Sequence, residues 1–245
     1  MNAATRIRAA VGRVSLLRTE QRTQSALHAA VERTKALQAR RFAGTYADAL
    51  ASGPYAAAVR FFLVELYSDK DFSERDAQFA RIAGAIEKLF PAQVAETAVS
   101  LAQLHALTEE LDHAVASAWL GLPPGLGEVP AYVQAWRAVG RRDERQAQLQ
   151  AVLAIGDEMV RLTRKPGLRT MLRMMRGPAA AAGLGALQRF LETGFDTFAA
   201  MSRNGVAAGF LHLIADREQA LIGSMFDAPL VACETGLARI LGEAP

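Results

Sequence analysis

Apolar and polar positions along this chain recur at helical spacing almost from end to end. Leu27, Val31, Thr34 and Leu37 share one face with polar residues between them, and Ile7, Val11 and Val14 do the same upstream. Arg18 falls on that second apolar face. The spacing predicts helix over residues 3–50. Arg18 to Ser25 is polar nearly all round and reads either as a solvated stretch or as a break. Ser52-Gly53-Pro54 stops the helix, and Pro54 suits the first turn of the next.

That next helix, residues 55–67, carries the run FFLVELY. Apart from Arg60 and Glu65 it is apolar on every side, the pattern of a buried element. It is therefore placed at the centre of the core. A short polar connection over 68–72 leads to Ser73, read as an N-cap with Glu74 and Asp76 in the first turn at capping-box spacing. Phe79, Ile82, Ile86 and Phe90 continue one side, and Pro91 opens a helix reaching about Leu120.

Gly121 to Gly127, GLPPGLG, is the one emphatic loop. It is a candidate subdomain junction but short for a flexible linker. Further helices are predicted over 132–139, 142–163, 168–176, 179–201 and 206–226. Residues from Asp227 read as a short helix or a frayed tail. There is no alternating strand pattern and no fixed repeat. The fold class is all-α, an irregular bundle of about eight to ten helices forming one domain over 1–245.

Composition sharpens this in two ways. About half of the 245 residues are apolar, enough for a sizeable core and far from disorder. The single cysteine, Cys233, excludes an internal disulfide and fits a reducing cytoplasm, the expected location. No apolar run reaches the ~18 residues that span a bilayer. Arg6, Arg8, Arg13 and Arg18 precede the first acid, Glu20, without the apolar region of a secretory signal. They read as a surface helix in preference to a membrane anchor.

The net charge of +3 is unevenly spread. Residues 1–60 hold ten Lys/Arg and three Asp/Glu; residues 61–125 hold four and ten. The two segments are expected to pair across the fold, which competes with nucleic-acid binding. Zinc-finger spacing, an RNP motif and a helix-turn-helix are all missing, so a nucleic-acid-associated role stands third among the alternatives.

Three features carry candidate chemistry. Glu65, with Tyr67 beside it, is a carboxylate on an apolar helix. Such an acid serves as a general base or ligand contact, or else pairs with Arg60, Arg75 or Arg81. His105, Glu109 and His113 lie on one helical face at i, i+4 and i+8, a spacing compatible with a metal but also with a solvated polar face. Arg169, Arg173 and Arg176 form a stripe at i, i+4 and i+7 beside Met171 and Met175, suited to phosphate, an anionic lipid head or an acidic partner, or else to salt bridges. Walker A, G-x-S-x-G and H-E-x-x-H motifs are absent.

The FFLVELY run at 61–67, followed by DFSERD at 71–76, resembles the signature of an uncharacterised bacterial family named for its FFLEELY motif. Phe61, Phe62, Leu63, Glu65, Leu66 and Tyr67 match; Val64 departs where the motif has Glu. RKPGLRTMLRMMRGP at 164–178 and LQRFLETGF at 187–195 are similar to that family too. The resemblance covers about residues 25–225. It implies a bacterial source and a helical fold, and it carries no activity.

The leading expectation is a cytoplasmic, non-enzymatic binding protein, with no cofactor. Its partner is another protein or an anionic amphiphile engaged through Arg169, Arg173 and Arg176. The alternative is a helical enzyme or carrier whose polar pocket uses Glu65, Tyr67 and the His105–His113 face, with or without metal.

Overall fold

A computed structural model describes residues 1–66 and 72–243. It is all-α, with no strand among the described residues. The first predicted helix is two, α1 (Ala3–Thr23) and α2 (Ser25–Thr45), separated by the extended backbone of Gln24. The polar Arg18–Ser25 stretch is thus a break. Asn2 caps α1 by accepting from the Thr5 amide at 2.9 Å. A short α3 (Ala47–Ala51) ends before Gly53, whose φ of +101° suits only glycine, and α4 (Ala56–Glu65) follows.

Then come α5 (Ser73–Leu89) and α6 (Ala92–Leu120). Phe72, not Ser73, holds the cap position of α5; Ser73 is its first helical residue. The 121–127 loop leads to α7 (Glu128–Val139), which starts four residues earlier than predicted because Pro130 fits its first turn. After α8 (Arg142–Thr163), the predicted boundary at Gly177-Pro178 proves misplaced. The chain forms α9 (Leu168–Met174) and α10 (Arg176–Ala181), with Pro178 inside the first turn of α10. The stop comes at Gly183, φ +67°, before α11 (Gly185–Arg203). Finally α12 (Ala207–Asp227) precedes α13 (Leu230–Ile240), so the segment after Asp227 is a helix. Thirteen helices among the described residues exceed the expected eight to ten because α3, α9 and α10 are only five to seven residues long.

The 29-residue α6 packs against α1, α2, α5, α7 and α8. Beside it, α4 supplies the aromatic centre. Phe62 stands 5.4 Å from Phe210 and 6.4 Å from Phe42, and Phe61 stacks on Phe190 at 6.0 Å, measured between ring centroids. Only one face of α4 is buried, through Ala58, Val59, Phe61 and Phe62; Arg60 and Val64 are exposed. A second cluster joins Trp119, Tyr132 and Trp136 to Leu37, Met225, Cys233 and Leu237, and so seats α7 and α13 on α2, α6 and α12.

The basic and acidic segments do pair across the fold. Arg6 meets Glu96 at 2.8 Å, Arg13 meets Glu110 at 3.0 Å, and Arg18 meets Asp76 at 2.8 Å. Among the described residues no helix is long and apolar enough to cross a membrane.

Candidate ligand-binding site

The functional geometry lies where α5, α6, α8 and α11 face one another. It consists of two adjoining chambers. The first, about 110 Å³, is walled by Lys35 and Gln38 of α2, Asp76 of α5, and His105, Thr108, Glu109 and Asp112 of α6, among others. The second, about 290 Å³, is walled almost wholly by apolar side chains, including Phe79, Ile86, Leu101, Met159, Leu172, Phe195 and Phe198. Phe62, Leu66, Phe79, Leu101, Leu104, Val152, Leu187, Phe190 and Leu191 line both. A compartment with charged and polar side chains in its wall, the polar chamber, therefore adjoins one that is apolar almost throughout, across a shared wall.

The polar chamber is built from a buried charge network. Asp76 is 5 % exposed and accepts from two sides, with His105 Nε2 and Arg18 Nη2 each 2.8 Å from Oδ2. Burial pushes its carboxyl up. The His105 hydrogen bond and the charges of His105, Arg18 and Arg75 outweigh that and hold it below the usual carboxylate range. Both carboxylate oxygens of Glu109 accept from Lys35 Nζ, at 2.7 and 2.8 Å, and Glu109 lies 3.7 Å from Arg18. Asp112 accepts from Gln38 at 2.5 Å. Burial raises its carboxyl, against the pull of Arg145 and Lys35. Gln148 of α8 donates to Thr108 at 2.7 Å and closes that side.

Arg75 stands at the shared wall. Its guanidinium lies 3.9 Å from the Phe72 ring centroid and 4.4 Å from that of Phe190. Burial pushes it below its ordinary value, against the favourable charges of Asp76 and Glu65. Its Nη1 donates to the Glu65 carbonyl at 3.1 Å and, at a longer 3.4 Å, to the Glu65 carboxylate. Glu65 thus pairs with Arg75, one of the partners the sequence allowed, and is only partly buried. Its side chain is 28 % exposed because α4 turns only one face inward, and its partner Arg75, not Glu65, lines the chamber. Tyr67 and the expected connection over 68–71 lie outside the described residues.

The predicted His105–Glu109–His113 face is divided among different partners. His105 turns to Asp76, Glu109 to Lys35 and Arg18, and His113 to Gln21 at 3.5 Å and Glu20 at 3.6 Å. Among the described residues, no three His, Cys, Asp or Glu side chains are grouped to hold a metal. Asp76, whose capping-box spacing accounts for it locally, joins the polar chamber, as do Lys35 and Gln38, none of them among the expected site residues. One signal did exist: Arg18 interrupts the apolar face of α1, and an arginine on such a face needs a buried acid.

The arginine stripe is not one helical face, since α9 ends at Met174 and α10 begins at Arg176. None of the seven residues of α9 is buried, yet Leu168 and Leu172, with Met175 beyond them, line the apolar chamber. The segment is a cover, fastened to α11. Arg169 meets Asp196 at 2.8 Å, Arg176 pairs with Glu192, and Gln188 donates to the Leu172 carbonyl at 2.7 Å. Arg176 holds the Glu192 carboxyl down to about 2. At the far end, Arg81 of α5 donates to the carbonyls of Ala182 and Gly183 at 2.8 and 3.1 Å.

No curated protein and no solved structure matches this chain. Residues 17–229, which take in α2 to α12 and so nearly every residue of the two chambers, match the model of a domain of unknown function, DUF8198, and the chain belongs to that family.

Proposed function

We propose that the protein binds a small amphiphile, its apolar body in the larger chamber and its polar end among Arg75, Lys35, Asp76 and His105. The observation that carries this reading is the shared wall between an apolar and a polar compartment. Ligand sites combine a mostly apolar lining with a few placed polar groups in this way. An engineered cavity of ~150 Å³ accommodates benzene, so twice that volume suits an apolar body of about a dozen carbons. Arg75 gives the polar end its preference. It is a planar donor at the junction, and the Glu65 carboxylate that it contacts at 3.4 Å is loosely held, so a ligand carboxyl can replace it.

Titration with a fluorescent undecanoic acid tests this, dodecanoic acid and dodecanol serving as competitors. Saturable binding, with dodecanoic acid the better competitor, is the expected result. Ala98, half-buried on α6, lines the apolar chamber. Ala98→Leu adds methylenes worth ~0.8 kcal/mol each, less some packing strain, and is expected to stabilise the fold by about 1 kcal/mol. The same substitution is expected to weaken the probe at least tenfold. A protein that is stabilised but loses its ligand separates a binding chamber from loose packing. Unchanged probe affinity in Ala98→Leu, or no saturable binding by the wild type, overturns the reading.

The enzyme alternative draws support from one contact. Asp76 fixes the imidazole of His105 at the chamber wall, an arrangement used for proton transfer. Conversion of a bound medium-chain ester that disappears in His105→Gln while probe binding persists would favour catalysis over carriage.

A further inference from the structure

The cover over the apolar chamber lies in a stretch of net positive charge. Between Glu158 and Arg203 the chain holds eight Lys/Arg and three Asp/Glu, a net charge of +5. Arg161, Arg164, Arg169, Arg173, Arg176, Arg189 and Arg203 are exposed. The three acids are Glu158, Glu192 and Asp196, and each pairs with one cation, Arg161, Arg176 and Arg169 respectively. The surplus therefore stays on the surface. Exposed apolar side chains occur on the cover and on the chamber's lining. Met174 of α9 is 73 % exposed, and Leu89, on the lining of the apolar chamber, is 68 % exposed. Cations and exposed apolar side chains beside an apolar chamber match an interfacial membrane surface, where basic groups meet lipid phosphates and apolar side chains enter the headgroup layer.

We infer that the α9 face docks on a bilayer surface bearing anionic lipid, and that the chamber beneath it exchanges its occupant there. The docking stands on charge and exposure alone; the exchange rests on the amphiphile reading above. Short, unburied α9 is the piece of the wall held mainly by contacts at its rim. A lipid phosphate that takes Arg169 or Arg176 from Asp196 or Glu192 releases the cover where ligand is available.

Co-sedimentation with phosphatidylcholine vesicles, with and without about one-third phosphatidylglycerol, tests the docking. The full chain is expected to sediment with the anionic vesicles at low salt and to be released at high salt. Arg164→Gln with Arg173→Gln leaves the Arg169–Asp196 and Arg176–Glu192 ion pairs to α11 in place and should lower vesicle affinity about thirtyfold. That variant should melt as the wild type does and bind the undecanoic acid probe equally well. Ala98→Leu should sediment normally while losing the probe, so failure of the chamber and failure of the surface give different patterns. Equal binding to neutral and anionic vesicles, or none to either, overturns the inference. So does retention on a heparin column without vesicle binding, which would assign the face to a polyanionic chain.

Discussion

Asparagine in place of Asp76 is expected to cost the fold about 3 kcal/mol, more than other charge-removing changes around the polar chamber. Asp76 is 5 % exposed and is the acid on which Arg18, His105 and the nearby Arg75 converge. Removing its charge leaves Arg18, only 14 % exposed, with Glu109 at 3.7 Å as its remaining acid. A buried cation stripped of its partner carries its desolvation penalty uncompensated. The pH dependence follows from the direction of the shift. A carboxyl held below its unfolded value adds stability that is complete above that value and is lost as pH falls through the folded one. The wild type should therefore weaken below about pH 4, and Asp76→Asn should flatten that acid limb. Urea denaturation midpoints across pH 3 to 7 measure both effects. Equal midpoints for the two proteins at pH 7 would show that the Arg18–Asp76–His105 contact adds nothing.

Asp112 gives the opposite sign in the same chamber. Its carboxyl is raised by burial, so its contribution is present at low pH and lost as pH rises through the folded value. Asp112→Asn keeps an oxygen to accept from Gln38 and removes a charge that the site disfavours. It should change stability at pH 7 by no more than about 1 kcal/mol. Two buried acids that wall one chamber thus differ in what they do for the fold. The difference is the company each keeps: Asp76 meets the Arg18 guanidinium and the His105 imidazole at 2.8 Å, while Asp112 meets a neutral amide.

Local chemistry explains what could be read from the chain. Gly53 and Pro91 mark helix ends because their effects act on their own turn, and the polar run before Ser25 yields to a break at Gln24. Gly177-Pro178 misleads for a related reason, since a proline in a first turn begins a helix as readily as it ends one. The candidate site was less legible because its contacts are distant in sequence. Asp76 lies 29 residues from His105, and Lys35 lies 74 from Glu109. Capping-box spacing accounts for Asp76 locally and hides its burial. The arginine stripe was visible, but Asp196 stands 27 residues beyond Arg169, so no helical register could show that the stripe fastens a cover.

Gly44→Ala is the second large effect, and it concerns α13. A Cβ at Gly44 would stand 2.0 Å from the carbonyl oxygen of Ile240 and 3.0 Å from its carbonyl carbon. Those are backbone atoms of the last residue of α13, so no side-chain rotation relieves the clash. Overpacking of this kind costs about 1–3 kcal/mol, and the rigid neighbour places it at the upper end. Alanine returns up to ~1 kcal/mol through the propensity of α2, which leaves a net loss near 2 kcal/mol. The loss should be local first, because α13 packs chiefly on α2 and α7 and is joined to α12 through Ala228-Pro229. Cys233 reports it directly. It is 2 % exposed, its Sγ lies 3.6 Å from Met225 Sδ, and it is the chain's one thiol. In the wild type it should react slowly with a soluble disulfide reagent. In Gly44→Ala the reaction should quicken at least tenfold while the probe still binds, since neither Gly44 nor α13 touches the chambers. A thiol as slow as that of the wild type, with an unchanged melting temperature, would mean that α13 shifts to admit the methyl group at no cost.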